Sequence, residues 1–118
     1  MKDSVTNMIR SNASVKDTAT VAEAALEMLK HHAHELPVVD RENRILGIVS
    51  ADDLYSSHAS HISDLIKEPA LIVPDDLSTY EAVSRMKEAN SLYALVTDGS
   101  KFVGMVTWQD VLSEFTHR

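Results

Sequence analysis

The sequence predicts an α+β (α/β) fold of two interlocked β-α-β-β-α repeats related by a pseudo-two-fold axis. Three observations predict it. An eight-residue stretch, Gly47-Ile48-Val49-Ser50-Ala51-Asp52-Asp53-Leu54, returns as Gly104-Met105-Val106-Thr107-Trp108-Gln109-Asp110-Val111. Gly47 to Gly104, Ser50 to Thr107 and Asp53 to Asp110 are each 57 residues apart. A helix-start signature, Thr20-x-x-Glu23, likewise returns as Ser78-x-x-Glu81, 58 residues on. Finally, neither half carries enough sheet or helix faces to bury its own apolar positions, so the halves must pack together. A repeat of this period sets the architecture before any local detail. The first repeat is taken as residues 1–60 and the second as 61–118.

Ser4 to Ile9, with Val5, Met8 and Ile9 apolar, reads as a short turn leading into an extended segment at Ala13–Val15. Thr20 and Glu23 form a capping box, each side chain satisfying an amide the other leaves free. Val21, Ala24, Ala25, Met28 and Leu29 then recur at helical spacing until His31–His32. Leu36–Val39 is a buried strand, Asp40–Arg44 a polar turn, Ile45–Val49 a second strand, and Ser50 opens a helix to about Ser57. After a connection at His58–Ile62 the pattern restarts. Ile62, Leu65 and Ile66 repeat the opening turn, Leu71–Val73 is a strand stopped by Pro74 and Asp75, and Ser78 with Glu81 makes a second capping box. Tyr80, Val83 and Met86 form the apolar face of the helix that follows. Tyr93–Thr97 and Phe102–Val106 are strands joined by the Asp98-Gly99-Ser100 turn, and Thr107–Phe115 is the last helix. The change of spacing from 58 to 57 places one missing residue of the second copy between Met86 and Leu95.

With 118 residues the chain is long enough to bury a real core. Eleven basic residues stand against 18 acidic ones, a formal charge of −7, and the Lys and Arg are scattered rather than aligned. Nucleic acid is thus an improbable partner, since phosphates are held by clustered cations. No apolar run reaches the ~18 residues of a membrane span and no secretory h-region opens the chain, so a cytoplasmic protein without a membrane partner is expected. The absence of cysteine removes disulfides and thiolate metal sites. His31, His32 and His34 cluster, and His58 and His61 lie one turn apart, but no third ligand is fixed, so no metal site is assigned. Met28 and Met86 read as core fillers, and Trp108 as packing on a neighbouring helix or stacking on a ligand. With three glycines, and no histidine base paired to Ser50, neither a phosphate loop nor a catalytic constellation is present; an enzyme is not expected.

Ser50-x-x-Asp53 and Thr107-x-x-Asp110 carry the chemistry. Taken singly, a hydroxyl with a carboxylate three residues on is an N-cap. The capping boxes at Thr20 and Ser78 use glutamate, however, whereas both strand-end copies use aspartate. A carboxylate accepts two hydrogen bonds from a vicinal diol, and a hydroxyl at a helix start favours an anion; ribose and phosphate are a common pair of that kind.

At these residues the chain resembles a tandem cystathionine β-synthase-type (CBS) domain pair, or Bateman module. The resemblance runs from about Val5 to Phe115 and rests on Asp17-Thr18, Met28, Leu36-Pro37-Val38-Val39-Asp40 and Gly47-Ile48-Val49-Ser50-x-x-Asp53-Leu54. In the second copy it rests on Pro74-Asp75, Met86, Leu95-Val96 and Gly104-Met105-Val106-Thr107-x-x-Asp110. It implies a regulatory module that binds adenosine-containing ligands (AMP, ADP, ATP, NAD or S-adenosylmethionine) in two clefts and signals to an unidentified partner protein. It also implies a homodimer formed through the helices. Carried over by position, one cleft joins Thr107 and Asp110 to Ala13, Ala33, His34 and Glu35; the other joins Ser50 and Asp53 to Leu71, Asn90, Ser91 and Leu92. The aspartates would take ribose hydroxyls, and Ser50 and Thr107 the ribose or α-phosphate. Glu35 stands where phosphate-holding members often carry a base, Asp52 where Arg is common, and Ala94 where the family has proline. The alternative is a structural or dimerisation module whose clefts no longer bind.

Overall fold

The repeated apolar and capping positions resolve into two copies of one arrangement in the computed structural model, which describes residues 3–116. A 3-10 turn at Val5–Met8 precedes β1 (Val15–Lys16), α1 (Val21–His31), β2 (Glu35–Val39), β3 (Ile45–Ser50) and α2 (Ala51–Ser56). A second 3-10 turn at Ser63–Leu65 precedes β4 (Ile72–Pro74), α3 (Thr79–Ala89), β5 (Tyr93–Asp98), β6 (Lys101–Thr107) and α4 (Trp108–Thr116). Strands β1-β2-β3 form one sheet and β4-β5-β6 another; in each, the first pair is parallel and the second antiparallel. The mixed α+β class and the element order of both repeats agree with the sequence reading.

The compact units are not the repeats themselves. One unit is Ala13–Pro69; the other combines the segment before Ala13 with the chain from Ala70 onward. The reason is apolar burial. Val5 and Met8 are fully buried in the core that holds Val73, Ala82, Met86, Ala94, Val96, Val106 and Val111. Ile62 is likewise buried among Ala24, Met28, Leu36, Val38, Val49 and Leu54. Each lead-in turn therefore completes the core of the other repeat. The backbone follows: Val5 N–H donates to Leu77 O (2.8 Å) and Ile62 N–H to Ala19 O (3.1 Å), with bridges Ser4–Ser78 and Thr20–His61.

Local chemistry sets the helix ends. In α1 the Thr20–Glu23 box closes in both directions. In α3 Ser78 accepts the Glu81 N–H, but Glu81 returns nothing, so only half of the expected box forms; Thr79 Oγ1 instead donates to Asp3 (2.7 Å). Both helices end in a left-handed cap, His32 (φ 54°) and Asn90 (φ 53°), whose N–H groups and those of Ala33 and Ser91 turn back onto the last carbonyls. Two side chains expected inside are outside. Tyr80 is 77% exposed because Ala82 and Met86 define the inward stripe and Tyr80 lies nearly opposite Ala82 around the helix. Leu29 is 72% exposed, one residue past the inward Met28. Trp108 is half-buried and packs against the core of its unit.

Strand register corrects one alignment. Val38 pairs with Gly47 and Val96 with Gly104, while Val39 pairs with Ile45 and Thr97 with Phe102. The residue missing from the second copy therefore lies in the β5–β6 turn, not between Met86 and Leu95. There Gly99, at φ 62°, permits a two-residue turn between the paired Asp98 and Lys101. The longer β2–β3 turn is instead tied by Asp40, which accepts the N–H groups of Glu42 and Arg44 and the Arg44 Nε. Those bonds, Arg44's first, hold the Asp40 carboxyl below its ordinary pKa. In this register Leu95, not Ala94, stands opposite the place of Pro37.

Two glycines permit the exchanged segments to lie flat on the sheets. A Cβ on Gly47 would sit 2.5 Å from Lys67 O and 2.6 Å from Ile66 Cγ2; one on Gly104 would sit 2.6 Å from Ile9 Cγ2. Gly47→Ala is expected to destabilise the chain by about 1–3 kcal/mol, the usual cost of overpacking a site that cannot yield, because the nearest obstacle is backbone. Urea denaturation of the two proteins measures it; an unchanged midpoint would mean that the Ile66–Lys67 segment moves freely.

Candidate ligand-binding site

Each strand-end motif is assembled within one unit. In Ala13–Pro69, β2 and β3 pair Glu35 with Ser50, so the two side chains share a face of the sheet. The Ala51 N–H donates to His34 O at 2.8 Å, fixing the helix-to-strand segment Ala33–Glu35 beside the motif. Ser50 Oγ caps α2 by accepting the Asp53 N–H (3.2 Å). The Asp53 carboxylate meets Lys67 Nζ at 3.0 Å. Lys67 is held in place by its backbone, which exchanges hydrogen bonds of 2.8 and 2.9 Å with Ile48. Bonding from Lys67, then from Ser50, lowers the Asp53 pKa below the ordinary aspartate value.

The other unit repeats the geometry with different outcomes. Tyr93 pairs with Thr107, and the Trp108 N–H donates to Leu92 O (2.8 Å). Thr107 Oγ1 accepts the Asp110 N–H (3.2 Å), while Asp110 Oδ2 accepts the Thr107 N–H (2.9 Å): a closed capping box. An isolated bridge along β6 brings Ser11, whose carbonyl accepts the Met105 N–H (3.1 Å), to the place that Lys67 takes beside Ile48.

The remaining sequence-predicted residues fall as follows. Asn90 is the left-handed cap of α3. The buried Ser91 turns its hydroxyl onto Tyr93 O at 2.6 Å, while Leu92 is exposed. Leu71 and Ala13 are partly buried against the cores of their respective units. The structure thus brings the segment Ala33–Glu35 next to Ser50, and the segment Asn90–Leu92 next to Thr107. Sequence reasoning missed Lys67, Ser11 and Tyr93. The Tyr93 position was readable from the 58-residue spacing once the missing residue is put in the hairpin turn; Lys67 and Ser11 carry no motif that marks them.

Among the described residues no three His, Asp or Glu side chains are grouped to hold a metal ion. A separate apolar groove of about 490 Å³ runs between α1 and α2, lined by Val21, Ala25, Leu29, His32, Leu54 and Tyr55 among others, and contains neither motif aspartate.

Because the folded Asp53 is the stronger acid, its ion pair supports the fold above the carboxyl's unfolded pKa and is lost as pH falls through the folded one. Lys67→Met should therefore move the Asp53 titration upward, toward the ordinary value. Carboxyl-detected NMR titration of both proteins tests this; an unmoved Asp53 would show that Lys67 does not act on it in solution.

Comparison with known proteins matches this arrangement. The CBS domain family matches residues 3–59 and again 62–117. The protein MK0525 of Methanopyrus kandleri is 28% identical over 104 residues, covering 80% of this chain and 53% of its own length. Homoserine O-acetyltransferase of Methanocorpusculum labreanum is 31% identical over 104 residues, 85% of this chain but 21% of the enzyme. The chain therefore spans about half or less of such curated relatives. Among solved structures, CBSX2 in complex with AMP superposes with a TM-score of 0.83 at 22% identity, covering 97% of this chain and 96% of that one. The CBS domain pair of protein MJ0100, in complex with 5′-methylthioadenosine and S-adenosyl-L-methionine, gives 0.81 at 20% identity, covering 99% and 98%. The chain belongs to the CBS domain family, and carries two such domains in tandem.

Proposed function

We propose that this CBS pair is a regulatory module that binds adenosine-containing ligands and reports their presence to a partner protein, without catalysing a reaction. The observation that carries the reading is the Asp53 carboxylate: its pKa lowered, its side chain 40% exposed, and set beside the Ser50 hydroxyl, it is an accessible acceptor for a ribose diol. The AMP and S-adenosylmethionine complexes named for structural relatives support the ligand class. In this proposal the ligand-contacting residues are Ser50, Asp53, Thr107 and Asp110 together with Ala13, Ala33, His34, Glu35, Leu71, Asn90, Ser91 and Leu92. No described helix is long and apolar enough to cross a membrane, and a cytoplasmic setting remains part of the proposal.

A second reading, a structural module with clefts that no longer bind, draws on Asp110 and Ser91. Both spend their polar groups on local backbone. A thermal-shift panel of AMP, ADP, ATP, NAD and S-adenosylmethionine separates the two, since a ligand bound only by the folded state raises the midpoint by mass action. Silence across the panel favours the structural reading. Where a ligand binds, Asp53→Ala and Asp110→Ala should each weaken one site by about 1.5–3 kcal/mol, the worth of hydrogen bonds to a charged acceptor. Calorimetry showing full affinity in both variants would leave the aspartates as caps.

We further propose a homodimer. The groove between α1 and α2, lined in part by the exposed Leu29 and Tyr55, is an apolar surface suited to a second copy. Sedimentation at micromolar concentration should give twice the chain mass, and Leu29→Lys combined with Tyr55→Lys should return the monomer. A monomeric parent chain would end the proposal.

A further inference from the structure

The two motif aspartates have the same sequence setting and different partners. Asp110 is folded back on the Thr107 N–H. Asp53 makes no such bond and faces Lys67 Nζ at 3.0 Å. The difference arises one strand away, where Lys67 lies along Ile48 while Ser11 lies along Met105. Its backbone is anchored on both sides, but the Lys67 side chain is 54% exposed and its ammonium rides on a flexible four-carbon stem.

Charge balance on this face makes that lysine decisive. Ile48 and Ser50 alternate onto one face of β3, Glu35 lies across from Ser50, and Lys67 lies across from Ile48. Asp53 and Glu35 supply negative charge to the site and Lys67 supplies the cation. Without it, the charged side chains set beside Ser50, Glu35 and Asp53, are both carboxylates. An exposed ion pair is also weak enough for a ligand to open.

We propose that Lys67 is the anion-reading residue of the Asp53 site. With no ligand it pairs with Asp53. When a ribose diol takes that carboxylate, the ammonium swings to the phosphate of the same molecule. The site thereby selects a nucleoside 5′-phosphate over an uncharged nucleoside, a selection that Ser11 does not provide at the Asp110 site. This inference rests on the adenosine-binding reading given above and adds to it the charge of the ligand and the residue that reads it.

The test is calorimetry with AMP and with adenosine on the full chain carrying Asp110→Ala, so that binding reports the Asp53 site alone. It is repeated after adding Lys67→Met or Lys67→Arg. The parent should prefer AMP. Lys67→Met should weaken AMP roughly fivefold or more while adenosine holds or gains by up to roughly fivefold, the factor equivalent to an exposed ion pair. The AMP affinity should lose most of its salt dependence, and Lys67→Arg should keep the preference. An unchanged AMP-to-adenosine ratio in Lys67→Met overturns the inference and leaves the adenosine reading standing. An equal loss of both ligands makes Lys67 a structural prop and overturns it as well. Failure of the unsubstituted chain to bind either compound overturns the inference together with the functional reading.

Discussion

The structure depends on how closely a chain segment from one repeat lies on the sheet of the other, an approach that only a missing side chain permits. At Gly47 the carbonyl of Lys67 occupies the space where a Cβ would stand; at Gly104 the Ile9 side chain does. These contacts let Ile48 and Met105 bond outward to a neighbouring backbone, so edge strands β3 and β6 are covered rather than left open. They also draw the preceding 3-10 turns into place, which puts Val5, Met8 and Ile62 at the bottom of cores their own repeats do not build. The glycines that open the two repeated motifs are thus fold residues, and the hydroxyl and aspartate that follow them are held at strand ends whose position the glycines set.

That separation explains how two near-identical motifs reach different chemical states. Ser50 and Thr107 do the same work, each accepting the N–H of its aspartate. The carboxylates then have a choice between the motif's own first N–H and a cation nearby. Thr107 wins Asp110 because Ser11 offers no charge; Lys67 wins Asp53 because a charge-assisted bond at 3.0 Å outcompetes a backbone amide. Duplication preserved the scaffold, and one residue outside the motif separated the two copies.

Much of this was legible in the sequence, for reasons that can be named. The helix starts were readable because Thr20 and Ser78 cap by local bonds that need no tertiary context, although Glu81 does not complete its half. The strands were readable from Leu36–Val39 and Phe102–Val106, whose apolar runs tolerate little else. The side on which a helix is buried was less so. Tyr80 and Leu29 fit an apolar period, but small Ala24 and Ala82 permit the closest approach and fix the inward stripe, leaving the larger side chains outside. The missing residue was misplaced because helix and strand spacing give only its bounds, whereas hydrogen-bond register puts it in the turn after Asp98. Lys67 was invisible for a different reason: it acts through a bridge to Ile48, and the sequence between them says nothing of that pairing.

The two proposed sites of this chain differ in what lies beside them. A ribose diol needs only a carboxylate, and both copies keep one. For a phosphate the motif itself offers a hydroxyl at a helix start but no cation; a cation beside it comes from the segment laid along the strand. That segment belongs to the other repeat's lead-in, Ser11 in one case and Lys67 in the other, and in the proposed function it is what would set the charge each site tolerates. On that proposal charge selectivity would change with a single substitution at an exposed position, because the backbone at Lys67 is fixed by Ile48 while its side chain reaches Asp53 from the surface.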